Sequence, residues 1–114
     1  MVRVLALGLT LAAAPLAWCH AVLLEATPRA GASVVGPNVP VKLRFNSRID
    51  RKRSRLMVAG ANGKETALEI APQTAPDTLS SEMKGVRPGR CRIRWQVLAL
   101  DGHITRGELV FEVQ

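Results

Sequence analysis

From His20 onward the chain alternates. Val41, Leu43 and Phe45 are separated by Lys42 and Arg44; Cys91, Ile93, Trp95 and Val97 by Arg92, Arg94 and Gln96; Leu109, Phe111 and Val113 by Val110 and Glu112. A period of two puts the apolar members on one side of an extended backbone and the polar members on the other, so each run predicts a strand with one buried face. Weaker strand signals lie at Val22–Glu25, Arg55–Ala59, Thr66–Ile70 and Leu79–Met83. Turn-forming clusters separate them: Thr27-Pro28, Gly36 to Pro40, Asn62-Gly63, Ala71-Pro72, Pro88-Gly89 and Asp101-Gly102. Of these, Asn62-Gly63 is the clearest hairpin signal. No segment carries an apolar stripe at helical spacing. Seven strands with turns roughly every 8–12 residues predict an all-β domain, a small Greek-key sandwich or barrel of immunoglobulin-like proportions.

The first nineteen residues break this pattern. Arg3 precedes an apolar run from Val4 to about Leu16, and Ala17-Trp18-Cys19 sets small residues at the minus-three and minus-one positions of a cleavage site. The run is short for a bilayer span. Residues 1–19 therefore read as a secretory signal peptide, and residues 20–114 as a single domain starting at His20. A competing signal is lipidation at Cys19, since Leu16-Ala17-x-Cys19 matches most of a lipobox, but Trp18 stands where that motif needs a small residue.

Charge changes the picture less than its size suggests. Sixteen Lys and Arg against nine Asp and Glu give a formal +7, a surplus that suits nucleic acid or an anionic surface. The densest run, Arg48 to Arg55, reads as one solvated loop, and the chain has no tyrosine and only two phenylalanines to stack on bases. Nucleic acid is not the expected partner. Removal of the leader would leave Cys91 as the one cysteine, so no internal disulfide is expected even in an oxidising compartment. Cys91 shares its parity with Ile93, Trp95 and Val97 and reads as a small buried hydrophobe.

Both histidines stand where chemistry is feasible. Cleavage after Cys19 would give His20 a free amine beside its own Nδ1, two nitrogens that close a six-membered chelate on a metal. His103, in Asp101-Gly102-His103, offers a third nitrogen, and Asp101 an oxygen. Three nitrogens in a T with an oxygen suit Cu(II), whose tetragonal preference and place in the Irving–Williams order favour it over zinc. A thioether site for Cu(I) is not expected, because Met57 and Met83 stand on separate strands and read as packing residues.

The order of motifs resembles the copper resistance protein CopC family: a leader ending before His20-Ala21, then Thr27-Pro28-x-x-Gly31, Val41-x-Leu43-x-Phe45, Pro88-Gly89 leading to Trp95-x-Val97, and Asp101-Gly102-His103-x-x-x-Gly107-x-x-x-Phe111-x-Val113. The resemblance implies a periplasmic copper carrier in which the first residue meets the Asp-Gly-His turn at a Cu(II) site. It assigns His20 as amine-plus-imidazole ligand, His103 as second imidazole and Asp101 as nearby carboxylate. It also implies a monomer that hands copper to a separate inner-membrane, CopD-like transporter. There are departures. Asn46 and Ser47 follow Phe45 where some relatives carry an acidic residue, no methionine-rich segment is present, and Cys91 occupies a position where an aromatic is common.

Two other functions compete with a non-enzymatic carrier. A histidine-brace copper monooxygenase needs an open coordination position and a broad substrate surface, which a chain this small and poor in exposed aromatics is not expected to supply. A metal-free immunoglobulin-like interaction module needs neither histidine. Hydrolysis is excluded more firmly, since no serine lies in a nucleophile elbow.

Overall fold

The computed structural model describes residues 21–114. Alternation is expressed as predicted, in eight strands: β1 (Leu23–Thr27), β2 (Ser33–Val34), β3 (Val39–Phe45), β4 (Ile49–Ala59), β5 (Glu65–Leu68), β6 (Thr78–Met83), β7 (Gly89–Ala99) and β8 (Ile104–Val113). They form two sheets, one of three strands in the order β1-β3-β6 and one of five in the order β2-β8-β7-β4-β5. The chain leaves the first sheet after β3, makes the β4–β5 hairpin in the second, and returns to pair β6 with β3. This is the Greek-key sandwich the pattern implied.

The core lies between the sheets. Val41, Leu43 and Phe45 of β3 and Leu79 of β6 face Leu56, Cys91, Ile93, Val97 and Phe111 of the larger sheet, all of them buried. Phe45 meets Trp95 edge to face, with ring centroids 6.4 Å apart at 71°, a geometry that the aromatic quadrupole favours. Trp95 pairs directly with Gly107 across the β7–β8 ladder. Its indole lies over that glycine, so a Cβ there would overlap the ring. Gly107 is thus a packing requirement of Trp95.

Three features depart from expectation. First, β2 is an eighth strand, only two residues long, paired in parallel with Glu112 and Val113; two residues are too few for a period to show. Second, the basic run Arg48 to Arg55 is not a loop: β4 starts at Ile49, which is buried and pairs with Ala99. Register shifts between Asp50 and Arg55, so residues 51–54 together face Val97 alone. Ser54 closes this bulge. Its hydroxyl donates to the Asp50 carbonyl (2.6 Å) and accepts from the Leu98 amide (3.0 Å), replacing ladder bonds that the extra residues would have broken. Third, Val39 and Pro40, expected in a turn, begin β3. The register of β1 on β3 runs only from Phe45 to Lys42, so Pro40 sits where that side of β3 has no partner needing its missing N–H. Asn62-Gly63 does turn the β4–β5 hairpin, with Gly63 at φ +74° donating to the Gly60 carbonyl at 2.9 Å.

Gly107→Ala must displace the Trp95 indole from its place against Phe45. A loss of about 1–3 kcal/mol is expected, the usual cost of overpacking a tight core, together with a red shift of Trp95 fluorescence. Urea unfolding monitored at the tryptophan measures both.

Candidate metal centre

The β7–β8 connection is only residues 100–103, and its geometry follows from its sequence. Gly102 takes φ +94°, a region that costs glycine little, and its amide donates to the Ala99 carbonyl at 2.9 Å. The Ala99 amide in turn donates to the His103 carbonyl at 2.9 Å, closing the hairpin. Asp101 then does what aspartate does in such turns: its Oδ1 accepts from the backbone amide two residues on, that of His103, at 3.1 Å. The same oxygen stands 3.3 Å from His103 Nδ1.

Asp101 and His103 therefore stand side by side in this turn. The carboxylate beside Nδ1 biases the ring toward offering Nε2 outward, the arrangement by which carboxylates orient metal-binding imidazoles. The imidazole is 57% exposed and the carboxylate 33%, so the pair is open to an incoming ion. His20, the third predicted site residue, lies outside the described residues, as does Cys19. Among the described residues no cluster of three or more His, Cys, Asp or Glu can hold a metal.

The start of the described chain runs to this turn. Ala21 is buried between the sheets, 2% exposed, and its amide donates to Thr105 Oγ1 at 3.2 Å. Thr105 follows His103 by two residues on β8. Next along the chain, the Val22 amide donates to Asn46 Oδ1 at 2.8 Å while the Asn46 amide donates to the Val22 carbonyl at 3.0 Å. Asn46 thus clamps the segment from both sides. Sequence reasoning missed this role, because Asn46 registered only as the lack of an acidic residue. The Leu100 amide donates to the Arg48 carbonyl at 3.0 Å, tying the β3–β4 connection to the same turn.

The sulfur donors sit elsewhere. Cys91 is 1% exposed at the opposite end of β7, and with Met83 it lines a cavity of about 610 Å³ between residues 60–64 and 85–88. Burial pushes the Cys91 thiol up from its ordinary range, and the nearby Glu112 carboxylate adds to the shift. A protonated, enclosed thiol is a poor ligand and a poor nucleophile.

The CopC domain family model matches residues 23–114. The chain belongs to the CopC family. The protein YobA of Escherichia coli strain K12 is 26% identical over 103 residues, spanning 88% of this chain and 83% of that protein. The crystal structure of CopC from Methylosinus trichosporium OB3b superimposes with a TM-score of 0.75 at 28% identity, covering 83% of this chain and 94% of that one. PcoC, described as a methionine-rich copper resistance protein from Escherichia coli, shares the fold with a TM-score of 0.69 at 23% identity, over 83% of this chain and 99% of that one.

Two tests follow from this geometry. Asn46→Ala removes the Val22 acceptor; amide exchange at Val22 is expected to accelerate at least tenfold, with a global loss of about 1 kcal/mol. Cys91 is expected to resist a disulfide reagent in the folded protein and react fully in urea. Because its thiol is raised on folding, stability is intact below the ordinary thiol range and declines as pH rises through it, a slope that Cys91→Ala removes.

Proposed function

We propose that this protein is a periplasmic carrier of Cu(II), exported by residues 1–19, that sequesters copper or delivers it through a brace formed by His20 and His103 with Asp101 alongside. The observation that carries the proposal is the bond from the Ala21 amide to Thr105 Oγ1. Residue 20 is one peptide from Ala21, a Cα step of about 3.8 Å, and Thr105 is two residues from His103. The fold thus fixes the chain next to His20 beside the turn, although the two histidines are far apart in sequence.

The chemistry of the donors favours oxidised copper. Once the leader is cut, His20 offers an amine and Nδ1 and His103 an imidazole nitrogen, a hard-to-borderline nitrogen set that suits Cu(II). Soft sulfur stands apart from the turn: Cys91 and Met83 are buried at the far end of the sandwich, and Met57 sits half-buried in mid-strand opposite Arg94. The chain therefore differs from a relative described as methionine rich. Binding suffices as mechanism, with release by ligand exchange, reduction or protonation. A CopD-like membrane protein is the fitting acceptor, and no helix among the described residues is long and apolar enough to cross a membrane itself. The described aromatics, Phe45, Trp95 and Phe111, all lie in the core. They supply no stacking platform for a polysaccharide, so a carrier is favoured over a monooxygenase.

Mass spectrometry of the secreted protein, with a Cu(II) electron paramagnetic resonance spectrum of the same sample, tests the proposal. A chain starting at His20 with one equivalent in a nitrogen-rich type 2 site is expected; a retained leader or a lipidated Cys19 refutes the brace. Affinity is expected to drop at least tenfold in His103→Ala. It also falls from neutral to mildly acid pH, since protons compete for the same lone pairs. Competition titration at several pH values measures this.

A further inference from the structure

The end of the sandwich that carries Asp101 and His103 differs from the rest of the surface. Five large apolar side chains are strongly exposed among the described residues, and four of them are here: Val22 (53%), Leu24 (50%), Leu100 (61%) and Ile104 (49%); Val35 is at the opposite end. Backbone contacts tie three of them to the connections at this end, and Leu24 follows Val22 by two residues. Val22 is bonded to Asn46, the Leu100 amide to the Arg48 carbonyl, and Ile104 pairs with Leu98 on the rung next to the turn. A shallow groove of about 660 Å³ opens beside them, lined by Leu24, Asn46, Arg48 and Pro76 among others.

Cations rim this apolar collar. Arg48 flanks the turn, and Lys52 and Arg53 stand on the exposed β4 bulge. Arg55 and Arg106 lie either side of Gln96 on one rung of the outer sheet face, with Arg106 Nε donating to Gln96 Oε1 at 3.0 Å. Further along the same face the arginines are neutralised: Arg92 pairs with Glu108 at 3.6 Å and Arg94 with Glu65 at 2.9 Å. At the turn end, among the described residues, Arg53 pairs with Asp50 at 3.9 Å and Arg44, which lines the groove, pairs with Glu25 at 3.0 Å, whereas no ion pair holds Arg48, Lys52, Arg55 or Arg106. Asp77 also lines the groove, yet cations outnumber carboxylates at this end, and exposed apolar groups beside a surplus of positive charge mark a recognition surface.

We propose that this end is the docking face for a copper-exchanging partner protein whose matching surface is apolar at its centre and acidic at its rim. The proposal rests on the copper role argued above and adds the partner's chemistry. A protein fits better than a lipid surface. The rim is mostly arginine, the cation enriched at protein interfaces where lysine is depleted, the groove is concave, and no aromatic is exposed among the described residues to anchor in a headgroup layer. Docking here sets the partner's ligands against the outward imidazole and sheds water from the exchange site.

The test titrates the secreted, copper-free protein, labelled with nitrogen-15, with a synthetic peptide of four leucines flanked by glutamates. Amide shifts are expected at Val22, Leu24, Arg48, Leu100, Ile104 and Arg106. Binding should weaken several-fold between 50 and 200 mM salt (about the range over which screening acts), and about tenfold in Arg48→Gln/Arg55→Gln/Arg106→Gln. Cu(II) affinity of that variant, read separately by competition, should stay within about threefold of wild type. Shifts confined to the Lys64 and Arg87 end, equal binding of a peptide with serine for leucine, or binding to phosphatidylglycerol vesicles alone each overturn the proposal. Failure of the wild type to bind Cu(II) refutes the copper role instead, and leaves the peptide map readable.

Discussion

The unbroken register of β7 against β8 is the constraint on which the rest depends. It runs without a slip from Gly89 opposite Val113 to Leu98 opposite Ile104. Side chains alternate along it, so a shift of one residue would exchange every inward group for an outward one. Cys91, Ile93 and Val97 would go to solvent, Arg92 and Arg94 to the core, and Trp95 would lose the glycine that makes room for its indole. Because the ladder is so strongly specified, the four residues that close it have little choice of geometry. Gly102 turns, Asp101 caps, and His103 projects.

A turn of this kind is a weak site alone. One exposed imidazole and one carboxylate do not hold an ion against water, and the described residues supply no third donor. What makes the place distinctive is the covering segment. Ala21 seals the open end of the core, buried between the sheets and bonded through its amide to Thr105. Asn46 holds the next residue through both its amide and its carboxamide. The fold thus gives several of its interactions to positioning the chain beside the turn, while the Asp101 and His103 side chains stay partly exposed.

Much of this was legible because strands with one wet face write their geometry into alternation. The inward parity of Cys91, Trp95 and Phe111, the Asn62-Gly63 hairpin and the placing of Asp101 and His103 in one turn are all local, within one strand or one turn. The misreadings were non-local. β2 exists only because Ser33 and Val34 find the end of β8. The basic run beginning at Arg48 belongs mostly to a strand because Ser54 substitutes for ladder bonds, and Pro40 is tolerated because β1 stops short of it. The meeting of the segment at Ala21 with Thr105 spans 84 positions, and no spacing rule reaches that far. The family resemblance implied that His20 meets the Asp101-Gly102-His103 turn; the contact seen between the described residues is the one from Ala21 to Thr105.

The two ends of the sandwich divide the chemistry between them. At one end nitrogen and oxygen donors are exposed, ringed by apolar side chains and arginines; at the other, two sulfur atoms line a cavity behind a loop, with the thiol held protonated by burial. Oxidised copper prefers the first set and reduced copper the second, and the length of β7 separates them. The two sets of donors cannot meet at one point of the fold: the same unbroken β7–β8 register that sets the Asp101-Gly102-His103 turn at one end keeps Cys91 at the other.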